Sequence, residues 1–300
     1  MLYEFAKLHG CGNDFVMIDD LDDRISLTDE QVAHICDRHF GVGADGVILV
    51  KPSPRPECAA YMDYINADGS RAQMCGNGVR CFAKFLVDRG IVDAAAGSFV
   101  ADTLSGPKPI TFETDGDGRM TVASVDMGEP ILRAAEVPAI ADEADTPWGP
   151  AVTELRLAGA DAEALAALGI DPAGLSFTCV SMGNPHAIAF VNDPATFPVE
   201  TVGPIVERAA AFPEKTNVEF AHVEGDAITM RVWERGCGET LACGTGCCAT
   251  AVAAHIAGLA PRKVRLIVRG GELGIEWRES DNRLYLTGPA VESFRGSIDL

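Results

Sequence analysis

One cluster occurs twice in this sequence, and that repetition constrains the fold more than any other feature. Cys75-Gly76-Asn77-Gly78 returns as Cys243-Gly244-Thr245-Gly246 (243 − 75 = 168). An apolar, Ala-rich stretch of helical length follows each copy and ends near a glycine, Gly90 or Gly258. A polar cluster precedes each at the same offset: Asn66-Ala67-Asp68-Gly69 and Glu234-Arg235-Gly236-Cys237 (75 − 66 = 9; 243 − 234 = 9). Gly12-Asn13 and Gly183-Asn184 add a looser match (184 − 13 = 171). A duplicated domain accounts for all of this, with one cysteine at an equivalent place in each half.

The segments from Gly76 to Asp88 and from Thr245 to Ala257 are apolar on most of their circumference. A helix of that kind is buried on all sides. Strand signals surround both: Met1–Leu8, Gly46–Lys51, Cys58–Asn66, Ser98–Asp102, Pro109–Thr114 and Met120–Asp126 in the first half; then Thr178–Ser181, Ala187–Val191, Asn217–Val223, Ala227–Glu234, Lys263–Val268 and Arg283–Leu286. Thr28-Asp29-Glu30-Gln31 has the form of a capping box and predicts a helix running to about His39. Asp115-Gly116-Asp117-Gly118 predicts a hairpin turn. The expected fold is α+β, with two pseudo-symmetric domains, each a mixed or antiparallel sheet wrapped around a central buried helix. Residues 130–175, rich in Ala, Pro and Asp, read as an interdomain passage with a variable insertion and a short surface helix over Asp161–Leu168.

Paired thiols suit one kind of chemistry. Inverting a stereocentre requires a base on one face of a carbon and an acid on the other, and two like side chains can exchange these roles reversibly. Two halves facing each other would hold two thiols across one bound molecule. A thiol's ordinary pKa of about 8.5 can fall towards neutrality at a helix N-terminus. The glycines allow close backbone approach, and the N–H groups of a first helical turn attract a carboxylate.

Composition excludes several alternatives. A net charge of −20 argues against nucleic acid or an anionic membrane as partner. No apolar run reaches the length of a bilayer span, and the N-terminus has no basic region followed by an apolar stretch. We therefore expect a cytoplasmic protein whose ten cysteines are free thiols. The cysteine spacings lack the matched pairs of a zinc site, so no metal is expected. None of the six lysines lies in a recognisable pyridoxal phosphate context.

Taken together, His9-Gly10-Cys11-Gly12-Asn13-Asp14-Phe15, Asn66-Ala67-Asp68-Gly69-Ser70, Met74-Cys75-Gly76-Asn77-Gly78, Gly183-Asn184-Pro185-His186, Thr216-Asn217-Val218-Glu219-Phe220 and Glu234-Arg235-Gly236-Cys237-Gly238-Glu239-Thr240 through Cys243-Gly244-Thr245-Gly246 resemble the diaminopimelate epimerases. The resemblance runs from residue 5 to Gly288-Pro289-Ala290 and weakens only across about 130–175. It implies cofactor-independent interconversion of LL- and meso-diaminopimelate, in the synthesis of lysine and peptidoglycan precursors, with the active site between two domains. It also implies a homodimer. The domains expected are 1–128 and 129–287, with 288–300 returning to the first.

The same resemblance assigns roles. Cys75 and Cys243 are the acid/base pair. The N–H groups of Gly76-Asn77 and Gly244-Thr245 hold the reacting carboxylate, where charge accumulates as the α-proton leaves. Asn13 and Glu234 engage the reacting ammonium. Asn66, Asn184, Asn217 and Arg235 grip the far end of the substrate, and His186 is a supporting group. Gly46 departs from the pattern, because some members carry a substrate-binding glutamine there. Cys237, Cys247 and Cys248 match no family role. Proline and hydroxyproline racemases share the fold and the cysteine pair, but have no need of a grip on a distal amino-acid end.

Overall fold

The computed structural model describes residues 2–71 and 75–300; Met1 of the first expected strand and Met74 of the first cysteine block lie outside the described residues. The chain divides into two compact units, Met1–Asp126 with Thr287–Leu300, and Met127–Leu286. In the first unit the elements are β1 (Leu2–Gly10), β2 (Asn13–Asp19), α1 (Asp29–Cys36), β3 (Gly46–Lys51), β4 (Tyr61–Asn66), α2 (Gly76–Asp88), β5 (Ser98–Thr103), β6 (Lys108–Thr114) and β7 (Met120–Gly128). The second contains β8 (Ala144–Thr146), β9 (Gly149–Ala151), α3 (Gly159–Ala167), β10 (Thr178–Ser181), β11 (Pro185–Phe190), α4 (Val199–Glu207), β12 (Asn217–Glu224), β13 (Ala227–Glu234), β14 (Gly238–Thr240), α5 (Gly244–Ile256), β15 (Lys263–Val268), β16 (Gly271–Trp277) and β17 (Leu284–Pro289). The C-terminal strand β18 (Val291–Asp299) pairs antiparallel with β1.

Strand pairing repeats from one unit to the other. In the first, β1–β2 is antiparallel, β2–β3 parallel, β3–β4 antiparallel, β4–β5 parallel and β5–β6 antiparallel. In the second, β10–β11, β11–β12, β12–β13, β13–β15 and β15–β16 follow the same alternation. The register repeats too. Phe15 pairs with Gly46 and His186 with Asn217, each shifted by the same offset (186 − 15 = 171; 217 − 46 = 171). Gly46 and Asn217 therefore occupy equivalent positions.

Each unit is built around one buried helix. Every residue of α2 from Gly76 to Val87 is buried except Lys84, and α5 is buried from Gly246 to Ala254. The arginine on α2 survives burial because its donors are used: Arg80 Nη1 donates to Gly76 O at 3.1 Å, Nη2 to Asn77 Oδ1 at 2.9 Å and Nε to Pro289 O at 3.3 Å. Both helices stop in the same way. Gly90 (φ +68°) and Gly258 (φ +70°) take the left-handed conformation, Ile91 N–H donates to Leu86 O and Leu259 N–H to Ala254 O. This is the Schellman motif, formed twice.

Some local expectations shift. Thr28 and Gln31 form the capping box, but α1 ends at Cys36 rather than near His39. Asp37 is extended, and its carboxylate takes the N–H groups of His39 and Phe40 at 2.7 and 2.8 Å, which competes with the helix. β4 begins at Tyr61 rather than Cys58, because Cys58 N–H closes a turn onto Arg55 O. Residues 130–175 are more than a passage: Val137, Val152, Leu157, Leu165 and Leu175 join the hydrophobic core of the second unit.

Candidate active site

Cys75 and Cys243 are the N-cap residues of α2 and α5, with extended backbones at φ −143° and −116°. Each sulfur sits where a capping oxygen would. Cys75 Sγ accepts from Gly78 N–H at 3.3 Å and Cys243 Sγ from Gly246 N–H at 3.4 Å. The glycines are sterically required. A Cβ at Gly246 would lie 2.5 Å from Glu219 Oε1, and one at Gly78 would press on Met62, Ile48 and Cys75 itself.

In the first unit, Asn13 follows a two-residue hairpin loop whose residues both have positive φ, Cys11 (+53°) and Gly12 (+84°). The turn delivers Asn13 to Cys75. Asn13 Oδ1 accepts from Cys75 Sγ at 3.5 Å and from Asn77 Nδ2 at 3.3 Å. Asn13 Nδ2 donates to Asp45 Oδ2 at 2.6 Å, which fixes the amide with its carbonyl towards the thiol. Asp45 is anchored by Arg38, which also grips Asp14 in bidentate fashion at 2.8 and 3.1 Å. Lys7 makes a second ion pair to Asp14 at 2.6 Å. Burial acts to raise the Asp14 carboxyl, but the hydrogen bonds from Arg38 and Lys7 win and hold it at about 2.

Asn66 ends β4, paired with Gly46 across the strands, and its Nδ2 donates to Ser70 Oγ at 3.0 Å. At Gly46 a Cβ would lie 2.5 Å from the Tyr64 ring and 2.6 Å from Ile65 O. The space that a glutamine would need is thus filled by Tyr64, which stacks edge-on against Phe15.

In the second unit, Cys243 is only 6% exposed. Burial, with the charges of Glu234 and Glu219, pushes its thiol well above the ordinary value, against the pull of Thr245 and Gly246. The expected fall towards neutrality is therefore reversed here: desolvation and two carboxylates outweigh the helix N-terminus. Burial also raises Glu234, whose carboxyl is hydrogen-bonded by Thr240 Oγ1 and Cys243. Asn184 Nδ2 donates to Thr245 Oγ1 at 3.3 Å, and Thr245 Oγ1 lies 3.4 Å from Cys243 Sγ.

His186 is fully buried, between Glu219 on one side and Asn184 on the other. Asn217 is also committed to the protein. Its Nδ2 donates to Pro185 O at 2.8 Å and its Oδ1 accepts Arg235 N–H at 2.9 Å. It clamps the turn that carries Arg235. The Arg235 side chain is exposed and donates from Nη1 to Glu214 O at 3.1 Å. Glu207 completes the turn, accepting Gly236 N–H at 3.1 Å and Trp233 Nε1–H at 2.8 Å.

The predicted residues thus gather around each thiol: Asn13, Gly76 and Asn77 at Cys75; Asn184, Glu234, Gly244 and Thr245 at Cys243. Sequence reasoning assigned no role to Asp45, Arg38 or Glu219. Glu219 lies inside the Thr216–Phe220 block, two residues after Asn217, and Asp45 immediately precedes Gly46, so both are close in sequence to expected site positions.

A protein-family model described as Diaminopimelate epimerase matches residues 5–132 and 178–292. A diaminopimelate epimerase of Heliobacterium modesticaldum is 45% identical, over 99% of this chain and 100% of that one. Those of Leptospira biflexa and Methanococcus maripaludis are 42% identical, over 100% of both chains, and 41% identical, over 99% and 100%. Among solved structures, a Bacillus anthracis phenazine biosynthesis protein of the PhzF family superposes with a TM-score of 0.69 at 16% identity, over 100% of both chains. A probable proline racemase from Agrobacterium radiobacter K84 gives 0.64 at 17% identity, over 99% of this chain and 93% of that one. These two show a shared fold.

Proposed function

The chain belongs to the diaminopimelate epimerase family, and on that premise we propose that Cys75 and Cys243 are the two acid/base groups with which it interconverts LL- and meso-diaminopimelate. It is an isomerase of lysine synthesis. One observation carries the two-thiol reading: the cysteines cap corresponding helices, 168 residues apart, and each sulfur accepts the amide N–H three residues on.

One thiolate removes the α-proton from one face while the opposite thiol delivers its own proton to the other. The pair ends with its roles exchanged. No redox step or carrier group is required. Burial and the neighbouring carboxylates favour the protonated form of Cys243, which suits it as the donor at rest. The N–H groups of Gly76-Asn77 and Gly244-Thr245 receive the reacting carboxylate, and the charge that grows there is stabilised by donors already in place. Asn13 and Glu234 take the reacting ammonium. Asn66, Asn184 and the exposed Arg235 take the far end, Asn217 holds the turn that carries Arg235, and His186 supports Asn184.

The reading extends to a cytoplasmic homodimer, which sedimentation of the purified protein tests. For the chemistry, Cys75→Ala and Cys243→Ala are each expected to lower turnover of LL-diaminopimelate by at least about a thousandfold while keeping native circular dichroism. Near-normal turnover by either variant would remove that cysteine from the mechanism.

A further inference from the structure

Behind Cys243 runs a chain of hydrogen bonds whose direction can be read from its ends. His186 Nδ1 lies 2.7 Å from Glu219 Oε1, and both side chains are fully buried. His186 Nε2 lies 3.2 Å from Asn184 Oδ1; Asn184 Nδ2 donates to Thr245 Oγ1; and Thr245 Oγ1 meets Cys243 Sγ. An amide oxygen only accepts, so His186 Nε2 carries a hydrogen. Nδ1 then either carries one too, facing a carboxylate, or accepts one from a protonated Glu219. In both cases one proton lies between Nδ1 and Oε1. Further along, Thr245 Oγ1 accepts a hydrogen bond from Asn184, so its own hydrogen is not spent there and is available to Cys243 Sγ.

We infer that Glu219 and His186 are positioning residues that fix the polarity of this relay, so that the Thr245 hydroxyl donates to Cys243 and stabilises the thiolate left when Cys243 gives up its proton. The inference rests on the reading of Cys243 as an acid/base group. The need is local. Glu234 on β13 and Glu219 on β12 both oppose a negative charge on this sulfur, which is also desolvated. The hydroxyl and the Gly246 N–H, at 3.4 Å each, are the donors that answer them.

The first unit has the opposite polarity. Asn13 corresponds to Asn184 (13 + 171 = 184) and Asn77 to Thr245 (77 + 168 = 245). Behind Asn13 stands an acceptor, Asp45, so the amide turns its carbonyl to Cys75. Behind Asn184 stands a donor, the His186 ring, so the amide turns its N–H towards Thr245 and Cys243. Two equivalent asparagines are oriented oppositely: Asn13 offers its carbonyl to Cys75, and Asn184 its N–H to the Thr245 hydroxyl that lies against Cys243. Gly246 is part of the device, since a Cβ there would collide with Glu219 Oε1 at 2.5 Å.

Two measurements on the full-length protein test this, and neither needs turnover, so the two-thiol mechanism can fail separately in its own assay. Nitrogen-15 NMR of histidine-labelled protein, with the His186 signals identified by their loss in His186→Gln, should show a hydrogen on Nε2 at neutral pH. A bare Nε2 there overturns the proposal. Alkylation of Cys243 by iodoacetamide, followed by mass spectrometry of its peptide, should slow about tenfold in Thr245→Val at pH 7.5 and be retained in Thr245→Ser. Glu219→Leu removes in both backgrounds a charge that opposes the thiolate, so the relay is read from the difference: relative to the change it makes in Thr245→Val, it should slow alkylation in the native background. Equal alkylation of Thr245→Val and wild type, or an equal effect of Glu219→Leu in the two backgrounds, contradicts the relay.

Discussion

Arg235 is exposed, on a turn that Asn217 and Glu207 hold rigid. The bidentate contact proposed for it with the far carboxylate would be worth roughly 1.5–3 kcal/mol. That end of the substrate does not react, so its binding energy serves to position the α-carbon, and both kcat and KM of Arg235→Ala should suffer. Arg235→Lys should recover only part of the loss, because an ammonium lacks the planar fork. Proline, which has nothing to offer Arg235, should not turn over. Steady-state kinetics with both substrates checks this; brisk racemisation of proline and unchanged kinetics in Arg235→Ala would refute the assignment of this residue. Gly46 has a different logic. Because the Tyr64 ring lies 2.5 Å from a Cβ there, Gly46→Gln should cost roughly 1–3 kcal/mol in urea unfolding. Tyr64→Ala in the same chain should recover part of that cost.

The paired helices were legible in the sequence because apolar circumference and a following glycine both survive without tertiary context. Gly90 and Gly258 show why the stop signal is reliable: no atom would touch an added Cβ, so the glycine is there for its positive φ alone. Gly90→Ala and Gly258→Ala should therefore each cost about 1 kcal/mol in thermal or urea unfolding, with no repacking. Other elements were hidden for physical reasons. The hairpin β1–β2 turns on Cys11-Gly12, and a cysteine at φ +53° is not a recognisable turn residue. Pro204 lies inside α4, and a proline there gives no helix signal because it ordinarily breaks one. In the candidate site, the cysteines and their asparagines were legible from repetition. Asp45 and Glu219 were not, because a carboxylate that orients an amide is visible only once strands β2, β3, β11 and β12 are in register.

At the scale of the whole chain, the duplication has kept some positions and changed others. Cys75 and Cys243, Gly76 and Gly244, Asn13 and Asn184 are alike. Inversion needs like groups on the two faces of one carbon. Asn66 and Glu234, Gly46 and Asn217, Asn77 and Thr245 differ, and under the proposed function these are the positions free to meet the unlike substituents around that carbon. Stability carries a whole-chain signature as well. Asp14 sits near pKa 2 when folded against about 3.9 unfolded, a depressed value, so its contribution of roughly 2 kcal/mol is present above pH 4 and is lost as pH falls through 2. Asp14→Asn should thus be less stable at pH 7, and its urea midpoint should converge with that of the wild type between about pH 4 and pH 2. Whether two thiols divide the work is decided by the fate of the α-hydrogen. In heavy water at low conversion, LL-diaminopimelate should give meso product carrying solvent deuterium at the inverted carbon, while the recovered substrate stays unlabelled. Product that keeps the original hydrogen, or substrate that exchanges as fast as product forms, would mean a single base and contradict the account.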